Sequence, residues 1–208
     1  MERAEWLYSI GWWVVHLFLK LYCRYEVSGL EYVPREGPMI IVSNHVSYVD
    51  PPALGMTTRR HLNFMAKREL FEIPLFGALI RKLGAFPVSR GRPDRRAFRR
   101  ALEVLGRGEG LIMFPEGTRR TFGKLGEPDL GVAAIALRSR APVVPVGLIG
   151  THRIMPRGWP VLLPFKLRIR IGPPLTFDEY YGKKATKDEL RQVAQAIMRS
   201  IAELCGYS

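Results

Sequence analysis

Five short apolar segments recur along this chain, at Met39–Ser43, Leu62–Ala66, Ala85–Val88, Leu111–Phe114 and Val143–Ile149, and they restrict its fold more than any other feature. Runs this short are too brief for core helices and have the character of buried strands. Between them lie stretches with helical spacing near Pro74–Leu83, Pro93–Leu105 and Val132–Leu137. Strands alternating with helices predict an α/β fold with a largely parallel central sheet flanked by helices. Two further strands are expected, at Tyr25–Leu30 before a turn at Pro34–Pro38, and at Lys166–Ile171. The second alternates strictly, with Leu167, Ile169 and Ile171 on one face and Lys166, Arg168 and Arg170 on the other, so it should be half exposed with a basic outer side. Thr186-Lys187-Asp188-Glu189 forms a capping box for a last helix. Leu190, Val193, Ala194, Ile197, Ile201 and Leu204 make the apolar stripe of that helix, and Gly206 suits its end.

No repeat, low-complexity run or long linker divides the 208 residues, so residues 25–208 are expected to be one domain. Residues 1–24 are different. Trp6 to Leu19 contains no charged side chain, is rich in tryptophan, and is followed by Lys20 and Arg24. At 14 residues it is shorter than the roughly 20 apolar residues of a membrane-spanning helix. It lacks the basic start and small-residue cleavage site of a signal peptide. Tryptophan and tyrosine favour the membrane interface, which predicts a helix lying among the headgroups; a tryptophan-rich core helix is the alternative.

The charge balance points to polyanions. Lys and Arg total 32 against 19 Asp and Glu, a net charge of +13, which attracts nucleic acid, anionic lipid, phosphorylated substrates or acidic carrier proteins alike. The densest basic stretch, Arg90 to Arg100, carries Ala97 and, beyond it, Ala101, Leu102 and Leu105 at helical spacing. Its arginines therefore form a solvated helix face, and no nucleic-acid partner is expected. The two cysteines, Cys23 and Cys205, form no ligand or disulfide framework and suit a reducing compartment.

Two segments follow strand ends, where α/β sheets place their sites. The first is Asn44-His45-Val46-Ser47-Tyr48-Val49-Asp50. Histidine is a general base near neutral pH once a partner fixes its tautomer. A carboxylate five residues on lies about 140° away around a helix, so pairing requires a tight turn. Asp50-Pro51-Pro52 also has the form of a helix start with Asp50 as N-cap and proline at the first helical position. A structural histidine and a simple cap remain open on spacing alone. Ser47 stands near His45, but the chain has no GxSxG elbow, so it is read as a turn residue. The second segment is Phe114-Pro115-Glu116-Gly117-Thr118-Arg119-Arg120, which could seat an anion or be a polar turn.

Taken together, His-x4-Asp followed by Phe-Pro-Glu-Gly-Thr-Arg resembles the glycerolipid acyltransferases, the family of the lysophosphatidic acid acyltransferases. Met65-Ala66-Lys67-Arg68-Glu69-Leu70, Gly84-Ala85-Phe86-Pro87-Val88-Ser89-Arg90 and Val144-Pro145-Val146-Gly147 are similar to further family blocks, in family order. One position departs: members often carry a lysine before the Gly-Ala pair that follows the third block, and here Leu130 precedes Gly131-Val132. The resemblance implies His45 as general base and Asp50 as its orienting partner. It implies Lys67, Arg90 and Arg119 on the acceptor phosphate, Glu116, Gly117 and Thr118 shaping the acceptor site, and Pro145 on the acyl-donor side. No metal or cofactor is implied. The expected reaction moves a fatty acyl group from acyl-CoA or acyl carrier protein to the sn-2 hydroxyl of lysophosphatidic acid, giving phosphatidic acid for phospholipid synthesis. The expected location is the cytoplasmic face of a membrane, peripherally or monotopically bound. Another lyso-lipid or amino-lipid acceptor, or a non-catalytic basic membrane-binding module, is the alternative.

Overall fold

The structure is a computed structural model that describes residues 5–207 except Arg90, Arg92, Phe122, Lys124 and Pro160. Seven strands form one sheet: β1 (Glu26–Ser28), β2 (Met39–Ser43), β3 (Leu62–Lys67), β4 (Ala85–Val88), β5 (Gly110–Met113), β6 (Val143–Ile149) and β7 (Arg168–Ile171). Their order is β1-β7-β6-β2-β5-β3-β4. Every neighbouring pair is parallel except β6 with β7. The largely parallel α/β architecture is the one the alternating pattern predicts. The reversal at β7 carried no signal in the sequence, because a half-exposed strand alternates in either direction.

The short apolar runs are buried on both sides. In β2, Ile40 and Val42 enter a core shared with α4 (Arg95–Gly106), α5 (Leu130–Ser139) and α7 (Lys187–Cys205). Met39 and Ile41 enter the opposite core, with α1 (Glu5–Tyr22) and α2 (Asp50–Gly55). Successive side chains of a strand point to opposite faces, so a strand covered on both must be apolar throughout. β2 is fully buried along its length and sits at the centre of the sheet. α3 (Phe76–Lys82) covers the β4 side, and the short α6 (Thr151–Ile154) follows β6.

Several boundaries differ from the sequence expectation for local reasons. The first strand stops at Ser28 because Gly29 turns to φ 83° and Leu30–Tyr32 forms a 3-10 turn. α5 begins at Leu130, where the Asp129 side chain accepts from Gly131 N. Leu130 itself packs against the core on the α4/α5/α7 side, so the position where relatives often carry lysine is used here for packing. In α2 the N-cap is Val49, and Asp50 is the first helical residue rather than the cap.

α1 is apolar on two sides. Leu19 and Cys23 are buried, and Trp12, Val15 and Phe18 pack against the same core. Trp12 Nε1 donates to Thr58 O at 3.1 Å, and Tyr8 Oη donates to Arg60 O at 3.1 Å. Trp6, Ile10, Trp13, Val14, Leu17 and Leu21 stay exposed on the other side.

α7 closes the opposite layer. Val193, Ala194, Ile197 and Ile201 are buried, and the valine and isoleucine side chains each contribute about 1.5–3 kcal/mol. Gly147 lets this helix approach β6, since a Cβ there would stand 2.8 Å from the Leu204 carbonyl carbon. Burial pushes the thiol of Cys205, the last residue of α7, up to about 12.

The capping box forms in full: Thr186 Oγ1 accepts from Glu189 N at 3.2 Å, and Glu189 Oε2 accepts from Thr186 N at 2.7 Å. The Glu189 carboxylate is held down to about 2, first by Lys183 Nζ and then by the Thr186 amide and hydroxyl. A depressed carboxylate contributes stability that is present above its unfolded value and lost as pH falls through its folded one. Glu189→Gln keeps the box but removes the charge. Thermal melts should therefore show the variant less stable at neutral pH, with the difference vanishing as pH falls from the ordinary value near 4.5 to about 2. A difference that stayed constant across that window would mean the charge is not involved.

Candidate active site

The site grows from the carboxyl end of β2. Asn44 continues that strand with its side chain: Nδ2 donates to Leu148 O at 3.0 Å, and Oδ1 accepts from Leu148 N at 2.9 Å. The amide thus takes the place of a peptide group against β6, and the chain leaves the sheet with His45 already anchored. The next five residues turn sharply around the Asp50 carboxylate. Asp50 Oδ2 accepts from Val46 N and Ser47 N, both at 2.7 Å, and lies 2.8 Å from His45 Nδ1. Asp50 is fully buried and His45 is 6% exposed. A continuous helix could not make this pair, and the tight turn does. The expected capping role is corrected accordingly: the carboxylate serves the amides of the preceding turn and not the start of α2. Ser47 is a turn residue, with Oγ donating to Met155 O at 3.1 Å and accepting from Val49 N at 3.3 Å.

With Nδ1–H donated to the carboxylate, the imidazole lone pair resides on Nε2, which fits a base whose protonated form Asp50 stabilises.

The second segment leaves β5, the parallel neighbour of β2, and closes over the same histidine. Phe114 stacks on the His45 ring with centroids 4.1 Å apart and planes 20° from parallel. Arg120 N donates to His45 O at 2.7 Å. Glu116 turns inward and is 5% exposed. Its Oε2 accepts from Gly126 N at 3.2 Å and lies 3.7 Å from Arg120 Nε. Burial raises the Glu116 pKa, opposed by the Gly126 and His45 amides and by the Arg120 charge. Gly117 turns the chain at φ 64°, with its N–H on Phe114 O at 3.0 Å.

The remaining expected residues fall in four places. Arg119 joins the site: its guanidinium stacks 3.7 Å over the Tyr48 ring, and Nη2 donates to Tyr48 Oη at 2.9 Å. Gly117 and Thr118 are exposed beside it. Lys67 ends β3 at the same edge of the sheet, exposed, 3.1 Å from Glu69 Oε1. Pro145 is buried inside β6 opposite Val42, beneath the His45 turn. Arg90 lies outside the described residues.

Asn44, Tyr48 and Phe114 belong to the site although their roles were not apparent in the sequence. Each stands within the two segments, but a strand-extending amide, a guanidinium platform and a ring stack have no spacing of their own. No group of three potential metal ligands occurs among the described residues.

Replacing Asn44 by Leu would leave Leu148 N–H and C=O buried without partners, each costing about 1–3 kcal/mol. Asn44→Leu should lower unfolding free energy by about 2–4 kcal/mol in denaturant titrations. It should also reduce whatever chemistry depends on His45 when assayed well below the new melting point. Unchanged stability would mean that the amide does not hold the turn.

Comparisons with known proteins place the chain in a family. The chain is 34% identical over 164 residues to the chloroplastic 1-acyl-sn-glycerol-3-phosphate acyltransferase of Brassica napus, covering 77% of this chain and 46% of that protein. It thus spans about half the length of that curated relative. It is 38% identical over 138 residues to the lyso-ornithine lipid O-acyltransferase of Pseudomonas aeruginosa, covering 66% of this chain and 52% of that one. The crystal structure of the 1-acyl-sn-glycerophosphate acyltransferase PlsC from Thermotoga maritima superposes with a TM-score of 0.76 at 32% identity. That match covers 95% of this chain and 79% of the solved one. Residues 24–149, from the end of α1 through both site segments to the end of β6, match the Acyltransferase family, and the chain belongs to it.

Proposed function

We propose that this chain transfers a fatty acyl group from a thioester to the sn-2 hydroxyl of lysophosphatidic acid, forming phosphatidic acid for phospholipid synthesis. The observation that carries the reading is the buried His45–Asp50 pair at 2.8 Å, at the sheet edge where Lys67 and Arg119 also lie. His45 Nε2 takes the acceptor hydroxyl proton as the oxygen attacks the thioester carbonyl carbon. The tetrahedral intermediate collapses, the carbon–sulfur bond breaks, and the imidazolium returns its proton to the departing thiolate. Asp50 keeps the ring in the required tautomer and stabilises its charge. Arg119 binds the acceptor phosphate with a planar fork already aligned by Tyr48, and Lys67 and Arg90 add charge around it. Glu116, Gly117 and Thr118 shape the acceptor site, and Pro145 helps form the acyl-donor side.

General-base catalysis contributes about 10²–10⁴-fold. His45→Ala should therefore abolish thiol release that depends on lysophosphatidic acid, and Asp50→Asn should reduce it strongly, with both proteins still folded by circular dichroism. Near-wild-type turnover in Asp50→Asn would reduce Asp50 to a turn-forming residue. A lyso-ornithine lipid acceptor is the second reading, favoured by the 38% identity to that enzyme. Running both acceptors in the same assay separates the two.

We further propose that the enzyme works on the cytoplasmic face of a membrane, docked through the outer face of α1. No helix among the described residues is long and apolar enough to cross a bilayer. Trp6, Trp13, Leu17 and Leu21 form an exposed stripe on α1, and the exposed Leu162 is tied to that helix by Tyr22 Oη donating to Leu162 O at 2.9 Å. Arg59 stands over the Trp12 and Trp13 rings at 5.3 and 5.6 Å, a cation placed for anionic headgroups. Because the inner face of α1 is core, substitution tests this better than deletion. Trp13→Ser with Leu17→Ser and Leu21→Ser should stop the protein floating with anionic vesicles while activity on detergent-dispersed acceptor persists. Undiminished flotation at high salt would place the membrane contact elsewhere.

A further inference from the structure

Away from His45, the outer edge of the sheet holds a second cavity of about 420 Å³, between β4, α3, the N-terminal turn of α4 and the 3-10 turn Arg68–Phe71. Its lining includes four arginines, Arg68, Arg81, Arg96 and Arg100, over a floor that includes Phe71 and Phe86. None of these belongs to the acceptor or catalytic sets described above. We propose that this cavity binds the adenosine 3′,5′-bisphosphate end of an acyl-CoA donor, an inference that rests on the thioester-transfer reading.

Three observations carry it. The first is charge. The two acidic residues of the lining, Glu72 and Asp94, leave the arginines in excess: Asp94 accepts from the amides of Ser89, Arg96 and Ala97 and lies 3.9 Å from Arg68, and Arg100 meets Glu103 at 2.9 Å in an exposed pair of the weak kind that a phosphate competes with. Guanidinium groups match phosphate oxygens with planar, bidentate hydrogen bonds, and several around one cavity suit a ligand with several phosphates. The second is shape and polarity. The volume falls in the range of small-molecule sites, and the Arg81 guanidinium lies 4.6 Å over the Phe71 ring, a flat stacked surface of the kind on which a purine packs. A concave pocket with an aromatic floor fits a nucleotide better than the convex acidic surface of a carrier protein.

The third is reach. Phe86 stands level with Met65, and Val42 stands level with Met113, all on parallel strands that end at one edge. β4 is three strand positions from β2, roughly 14 Å at about 4.8 Å per strand. The pantetheine arm of CoA spans roughly 15 Å when extended as a peptide-like chain. A nucleotide seated on Phe86 therefore brings its thioester to the end of β2, where His45 begins the turn.

The test uses the full chain with Arg96→Ala and Arg100→Ala, whose side chains are exposed and can be removed without disturbing the core. Calorimetry with adenosine 3′,5′-bisphosphate should show saturable binding to the wild type, weakened about tenfold or more in each variant. The KM for palmitoyl-CoA should rise by a similar factor. The KM for lysophosphatidic acid and transfer from palmitoyl-N-acetylcysteamine, which lacks the nucleotide, should be unchanged. Absence of nucleotide binding by the wild type would overturn the proposal. So would a rise in the acceptor KM instead of the donor KM, or a defect confined to acyl carrier protein as donor. Nucleotide binding that weakens in the variants of a protein inactive with every donor would leave this site standing while refuting the proposed reaction.

Discussion

The Asp50 carboxylate is the fixed point of the candidate site. One of its oxygens gathers two backbone amides and a histidine nitrogen within 2.8 Å, in a position fully removed from water. Burying a charge is costly unless hydrogen bonds replace its hydration, and the tight turn at residues 45–50 supplies those bonds from the backbone itself. The same contacts that make the turn possible fix the ring. Asn44 ties the turn to β6, and Arg120 and Phe114 tie it to β5. The apolar helices on both faces of the sheet are what keep this small polar knot rigid.

The two site segments therefore form one object. Sequence alone presents them as a base with its partner and, separately, a candidate anion seat. In three dimensions the second segment is first a clamp on the first. Its Phe114 ring and Arg120 amide contact His45 and its Glu116 turns inward, while Gly117, Thr118 and the side chains of Arg119 and Arg120 reach towards the surface. Arg119 in turn takes its orientation from Tyr48 in the first segment. Each segment supplies part of the other's geometry, which accounts for their placement on adjacent parallel strands.

The legible parts of this fold are those set by patterning with a fixed period. β2, β5 and β6 are apolar throughout because both their faces are covered, and α7 announces itself through a capping box and a single stripe. The half-exposed β7 showed its alternation but not its direction, since pleating looks the same whichever way the chain runs. Asp50 had the composition of a cap yet serves another turn, because a carboxylate followed by two prolines fits both roles and only tertiary contacts choose. For α1, composition correctly marked an apolar helix but could not divide it: an inner face in the core and an outer one exposed have the same residue types. The inward turn of Glu116 was hidden for a similar reason, as buried acids are exceptions that depend on partners distant in the chain.

The bond from the Arg120 amide to the His45 carbonyl joins the segments that follow two strands far apart in sequence, and it has a consequence for biosynthesis. As the chain emerges from the ribosome, the histidine is made long before the residues that hold its peptide and stack on its ring. The intervening β3 and β4 lie on the far side of β5 from β2, so they join the centre of the sheet only once β5 has been made. Contacts of such large sequence separation form late, after loop closure has been completed. A nascent or prematurely terminated chain therefore has His45 and Asp50 in its primary structure without the contacts from Phe114, Arg120 and Leu148 that hold their turn. The geometry of the candidate site is complete only once β5 and β6 are in place, so an unfinished copy lacks the arrangement on which the proposed reaction rests.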